Sequence, residues 1–294
     1  MNNQYVKYTI VFLEIILLFS LVVCLLRFSS PPADEDTGSD ITDVPIDEPL
    51  PDDNTAENPD STPSEDEEPP VDDTPTEDTT PTPEVIDFST LSYVAFGDSI
   101  TYGSGITTPY PTLISNALGL ASFTNKAVSG ATFCTNTLNR ICMTDRILAY
   151  TEQADIISLM LGVNDYLVDL PLGTFGDTTH DTIYGSLYLI AEHLTSTQND
   201  AFIFFMTPYK CKFGTMIYKD DNNVGYNLED VANAVKEVAA FYDIPVLDMF
   251  NEGKFELEMY NYGSDGLHPS QEFTNTYTAP QIEAFIRQNY SNKR

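Results

Sequence analysis

The sequence predicts an α/β domain built on a parallel, doubly wound sheet over residues 88–294. Five short, near-continuous apolar runs, at 91–96, 122–128, 155–161, 202–206 and 244–249, read as strands covered on both faces. Longer amphipathic stretches fall between or after them, at about 108–118, 137–150, 180–197, 227–242 and 272–289, and read as helices. Strand–helix alternation is the signature of a parallel sheet with helices on both sides. Val231, Ala234, Val235, Val238 and Ala239 recur at three- and four-residue steps, which gives one helix a single apolar stripe. A stretch of about 200 residues suits one domain of this class, and no internal repeat is visible.

Two segments of different character precede it. Residues 8–26 read YTIVFLEIILLFSLVVCLL, in which 14 of 19 positions are Ile, Leu, Val or Phe and only Glu14 is ionisable. The apolar side chains favour insertion by about 4–8 kcal/mol against about 3 for one central acid, so residues 1–28 are expected to hold a single-pass membrane helix. Its length just suffices for a bilayer. A weak small-residue cleavage pattern favours a retained anchor, with cleavage or lipidation at Cys24 as the alternatives. Lys7 and Arg27 are too balanced to set orientation.

Residues 29–87 are an acidic linker, expected to be disordered. Twenty-one acids lie between Asp34 and Asp87, with 12 of the chain's 19 prolines between Pro31 and Pro83. Such a composition cannot offset the entropy of folding. Stiffened toward polyproline II, it could span at most roughly 180 Å at ~3.1 Å per residue.

The whole chain carries 45 acidic and 13 basic residues, a formal charge of −32, and no Lys or Arg lies between Arg27 and Lys126. Nucleic acid is therefore excluded as a partner, because phosphate binding needs a basic face. Four cysteines in 294 residues exclude a disulfide scaffold. Cys134 and Cys142 could pair, but Cys211 would be left over, which argues for free thiols. No His/Cys/Glu group shows metal-ligand spacing, and no glycine-rich loop suits a phosphate, so neither metal nor cofactor is expected.

Ligands of doubly wound sheets gather beyond the carboxyl ends of the strands. The first strand is followed by Phe96-Gly97-Asp98-Ser99, the second by Val128-Ser129-Gly130, the third by Leu161-Gly162-Val163-Asn164-Asp165 and the fifth by Ser264-Asp265-Gly266-Leu267-His268-Pro269. A hydroxyl, a glycine, an amide and an Asp–His pair are the parts acyl transfer requires: a nucleophile, its base, a carboxylate to orient the base, and donors for the oxyanion.

These four blocks, in this order over roughly 92–290, resemble the GDSL or SGNH hydrolases. The resemblance implies a three-layer α/β/α sandwich with a mostly parallel, flavodoxin-like five-stranded sheet. It implies Ser99 as nucleophile, His268 as base and Asp265 as its partner. The backbone N–H groups of Ser99 and Gly130 and the side chain of Asn164 would form the oxyanion hole. One departure is visible: where the family usually carries a small residue after the last block, Gln271-Glu272-Phe273-Thr274 stands.

Taken singly, Ser99 could cap a helix, Gly130 could ease a turn, and Asn164 and Asp265 could be turn residues. Asp98 and Asp165 read as supports behind the reacting groups, or as solvent-facing loop acids. Tyr102, Tyr110 and Tyr166 flank the motifs and could stack on a substrate ring, Tyr102 and Tyr166 above all. His180 and His193 read as surface or cap residues. The expected function is a serine esterase removing acetyl groups from O-acetylated carbohydrate outside the cell, with a monomeric catalytic domain tethered to the membrane. The alternatives are a lipase or lysophospholipase and a non-catalytic binding module that keeps the fold.

Overall fold

The computed structural model describes residues 86–254 and 265–290. The expected anchor at 1–28 and residues 29–85 of the expected linker lie outside them. Among the described residues no helix is long and apolar enough to cross a membrane.

After a 3₁₀ turn at Phe88–Thr90, the chain runs through β1 (Ser92–Gly97), α1 (Ser99–Tyr102), α2 (Tyr110–Leu118), β2 (Ser122–Asn125), α3 (Met143–Leu148), β3 (Ile156–Met160), α4 (Val163–Leu167), α5 (Ile183–Thr197) and β4 (Phe202–Met206). A small antiparallel pair, β5 (Lys212–Phe213) and β6 (Met216–Ile217), precedes α6 (Leu228–Phe241) and β7 (Val246–Leu247). The chain closes with α7 (Gln271–Phe273), a π-helical turn at Thr274–Thr278, and α8 (Ala279–Tyr290).

Five strands form one sheet in the order β2-β1-β3-β4-β7, every pair parallel. Alternate side chains feed two cores, as strand geometry demands. Val94, Phe96, Ile157, Leu159, Ile203 and Phe205 join the core under α3, α5 and α6. Tyr93, Ala95, Ile156, Met160, Phe202 and Phe204 join the one under α2 and α8. The result is the three-layer sandwich expected from the sequence.

Some boundaries differ, for local reasons. The expected helix at 137–150 begins only at Met143. Asn136 holds the preceding turn: its Oδ1 accepts from the Leu138 and Arg140 N–H groups, and Asn139 takes φ 58°. The last strand shrinks to two residues, and β2 to four. The short helix α4 and the β5–β6 pair carry too few residues for a periodic signal and were not foreseen.

In this strand order the connection direction reverses at β1 and β3, so a crevice opens between the loops that leave those two strands. The exit from β1 is tight. A Cβ on Gly97 would meet Thr101 Oγ1 at 2.2 Å and the Met160 carbonyl of β3 at 2.7 Å. Gly97→Ala is therefore expected to cost about 2–3 kcal/mol by overpacking and to lower the thermal midpoint by roughly 5–10 °C. Circular dichroism would read this, and an unchanged midpoint would refute so close an approach.

Candidate active site

Ser99 is the first residue of α1, directly beyond β1, and is 5 % exposed. Asp98 caps this helix by accepting from the Ile100 N–H at 2.9 Å. His268 arrives from the far end of the chain. Asp265 folds back beneath it, its Oδ1 accepting from the N–H groups of Leu267 (3.0 Å) and His268 (2.8 Å). Its other oxygen, Oδ2, lies 2.7 Å from His268 Nδ1, and His268 Nε2 lies 2.7 Å from Ser99 Oγ. An ionised carboxylate can only accept, so Nδ1 carries the proton and Nε2 presents its lone pair to the serine hydroxyl.

The electrostatics follow the geometry. Burial alone would raise Asp265, but the His268 ring and the two backbone N–H groups outweigh it and hold the carboxyl well below its usual range. His268 is raised above an ordinary imidazole, first by its hydrogen bond to Asp265, against an opposing push from burial. Asp98 is pushed up to about 7 by full burial, and Asp165 up to about 6 by the same cause.

The predicted oxyanion residues stand on the neighbouring loops. Asn164 lies in α4, beyond β3, and donates one Nδ2 proton to the Ala131 carbonyl at 3.0 Å. Its second amide proton remains available. Gly130 takes φ 76°, a left-handed conformation that favours glycine. Neither its N–H nor that of Ser99 has an acceptor among the described residues. Asp165, wholly buried, accepts from the Phe133 N–H at 2.9 Å and the Cys134 N–H at 3.1 Å, and so fastens the segment that follows Gly130. It is not a solvent-facing acid, and neither is Asp98, which is 1 % exposed.

Two expectations about tyrosines need correction. Tyr166 is fully buried, and its hydroxyl donates to the carbonyls of Ile217 and Asp220. It braces the β5–β6 pair and offers no surface for stacking. Tyr110 is buried against Thr101, with the two hydroxyls 2.9 Å apart. Only Tyr102, one turn after Ser99, is open to solvent, at 55 % exposure. The thiols of Cys134, Cys142 and Cys211 are free, as their odd number suggested.

Three contributions escaped the sequence. Arg140 donates from Nη1 to the Gly130 carbonyl at 3.1 Å, putting a guanidinium beside the oxyanion loop. Gln271, the departure from the family pattern, grips the 107–108 backbone: its Oε1 accepts from the Thr107 and Thr108 N–H groups, and its Nε2 donates to the Thr108 carbonyl. His180 faces an acid distant in sequence, Asp145, at 2.9 Å, brought there by the fold from 35 residues away. No local signal could have revealed the last.

A recess of about 400 Å³ opens over the site, walled by Ser104, Gly105 and the segment Asp265, His268, Pro269, Ser270 and Gln271. Another of about 370 Å³, at the amino ends of β4 and β7, holds no nucleophile or histidine and lies at the wrong end of the sheet for this fold's chemistry.

The arrangement defines a serine-hydrolase-like site on a doubly wound sheet. Residues 95–273 match the model of the GDSL-like lipase/acylhydrolase family, and the chain belongs to that family of ester-cleaving hydrolases. Among solved structures, a protein from Lactobacillus plantarum is 26% identical, with a TM-score of 0.61, covering 68% of this chain and 98% of its own. A protein described as "a possible lipase", from Chitinophaga pinensis, is 24% identical, with a TM-score of 0.54, over 67% of this chain and 98% of its own, and supports the fold alone. No curated protein matches the chain.

Because Asp265 raises His268, the imidazole should titrate above the ordinary value of about 6.5. In Asp265→Asn the midpoint should fall. Nuclear magnetic resonance of the His268 ring would read both, and a midpoint unmoved by the substitution would show that the carboxylate does not govern the ring.

Proposed function

We propose that the chain is a serine esterase whose preferred substrate is an acetylated carbohydrate outside the cell. The observation that carries the reading is the continuous Asp265–His268–Ser99 row, with both links at 2.7 Å. Ser99 Oγ attacks the ester carbonyl while His268 Nε2 takes its proton. Asp265 stabilises the resulting imidazolium. The oxyanion is held by the Ser99 and Gly130 N–H groups and the spare Asn164 amide proton. His268 returns the proton to the departing alcohol, leaving an acyl-enzyme. Water, deprotonated by the same imidazole, then releases the acid and restores Ser99.

The substrate class rests on the walls of the recess. Ser104, Gly105, Ser270 and Gln271 are polar or small, and Pro269 alone in the lining offers an aliphatic surface, too little for a long acyl chain. Exposed Tyr102 beside Ser99 supports stacking on a sugar face. The acidic domain disfavours anionic lipids. The apolar 8–26 segment and the acidic linker support a membrane-tethered, extracytoplasmic, monomeric enzyme acting at a distance from the bilayer.

Ser99→Ala should lower kcat/KM for acetyl esters by on the order of 10⁴–10⁶ and abolish fluorophosphonate labelling. Asn164→Ala should cost about 10²–10³. Retained turnover in the serine variant sinks the mechanism. In a panel of acyl lengths on sugar and glycerol alcohols, acetyl-sugar esters should lead. Faster turnover of long-chain glycerol esters would overturn the substrate class while leaving the triad intact.

A further inference from the structure

Outside the serine site, the described residues hold one further group of metal-ligating side chains, and ester cleavage leaves it unused. Cys142, Asp145 and His180 each bring one ligand atom to within 4.8 Å of the others. The segments that present them are held in place. Cys142 precedes α3, where the Met143 N–H donates to the Thr132 carbonyl and the Thr132 N–H donates to the Ile141 carbonyl. Asp145 follows within the first turn of that helix. The His180 carbonyl accepts from the Thr135 N–H at 2.9 Å, and Asp181 accepts from the Thr135 hydroxyl at 3.0 Å. Gly185 lets the 177–182 segment pack against α5, since a Cβ there would meet the Thr179 carbonyl at 1.9 Å.

Two ligand atoms of this group already face each other. His180 Nδ1 lies 2.9 Å from Asp145 Oδ1, an ion-pair contact without the alignment of a hydrogen bond. A cation coordinated by both atoms would bridge them. The 2.9 Å gap would open by only a few tenths of an ångström, since two ligands at about 2.0–2.1 Å in tetrahedral array lie roughly 3.3 Å apart.

We propose that Cys142, Asp145 and His180 bind a zinc-like divalent ion, with water as the fourth ligand. One thiolate, one imidazole and one carboxylate form a borderline-soft set, suited to zinc or cobalt rather than to calcium or magnesium. Without the ion, the Cys142 thiol donates to the Phe133 carbonyl at 3.1 Å. Binding therefore releases the thiol proton to solvent as sulfur joins the ion, with no change of oxidation state. The bound ion would cross-link the 130–142 loop to the 177–182 segment. This proposal is independent of the esterase reading.

The test is a cobalt(II) titration of the full chain in excess calcium, which saturates the carboxylates of the acidic linker. One equivalent should bind with thiolate-to-cobalt charge-transfer absorption and intense tetrahedral d–d bands. Cys142→Ser should remove the charge-transfer band. His180→Gln and Asp145→Asn, both at the domain surface, should weaken binding by at least about tenfold. Zinc should raise the thermal midpoint of the unaltered chain more than that of His180→Gln, while circular dichroism reports folding in every variant. Absence of the thiolate band, its persistence in Cys142→Ser, or equal affinity in a folded His180→Gln chain would each overturn the site. The last result would leave His180 and Asp145 as a proton-bridged ion pair.

Discussion

The buried carboxylate of Asp165 is the constraint on which the rest of the site depends. It lies in the interior without a cation near it among the described residues, and two backbone N–H groups, of Phe133 and Cys134, hold it. Those bonds join the loop beyond β3 to the loop beyond β2. Asn164, one residue earlier, repeats the link through the Ala131 carbonyl. Gly130 and Asn164 are thus fixed relative to each other by hydrogen bonds made out of water, where an unpaired partner would cost about 1–3 kcal/mol.

Parts of this design were legible in the sequence, and the division follows from burial. Strands covered on both faces are continuous apolar runs, so 202–206 was read to the residue. The 137–150 stretch carries helical periodicity, but the side chain of Asn136 claims the backbone at its start, and such local competition leaves no periodic trace. Ser99, Gly130, Asn164, Asp265 and His268 were legible because each directly follows a strand or falls within a four-residue motif. Tyr166 misled because it sits between motif residues, yet faces inward and satisfies two carbonyls. Arg140, Gln271 and the His180–Asp145 contact depend on pairings 10, 163 and 35 residues apart, which no single-sequence pattern encodes.

Charge is distributed in the site with the same economy. Asp98, Asp165 and Asp265 are three carboxylates in very different states. Asp265 keeps two backbone donors and a ring, and is held ionised. Asp98 has one backbone donor and full burial, which brings it up to about 7. Its charge still favours the protonated form of His268, behind the larger effect of Asp265. The base is therefore strengthened from two sides, while only Asp265 touches it. In the proposed mechanism a stronger base draws the serine proton more readily but is itself protonated over more of the acid range, so the same contacts that would speed attack would narrow the working pH from below.

The recess is walled by loop 104–105 and by the segment 265–271, which also carries Asp265 and His268. Gln271 binds these two regions together through three hydrogen bonds to the 107–108 backbone. A small residue there could make none of them, and the wall facing His268 would be free to shift. Gln271, where the family pattern has a small residue, thus ties the rim of the recess to the helix that follows His268.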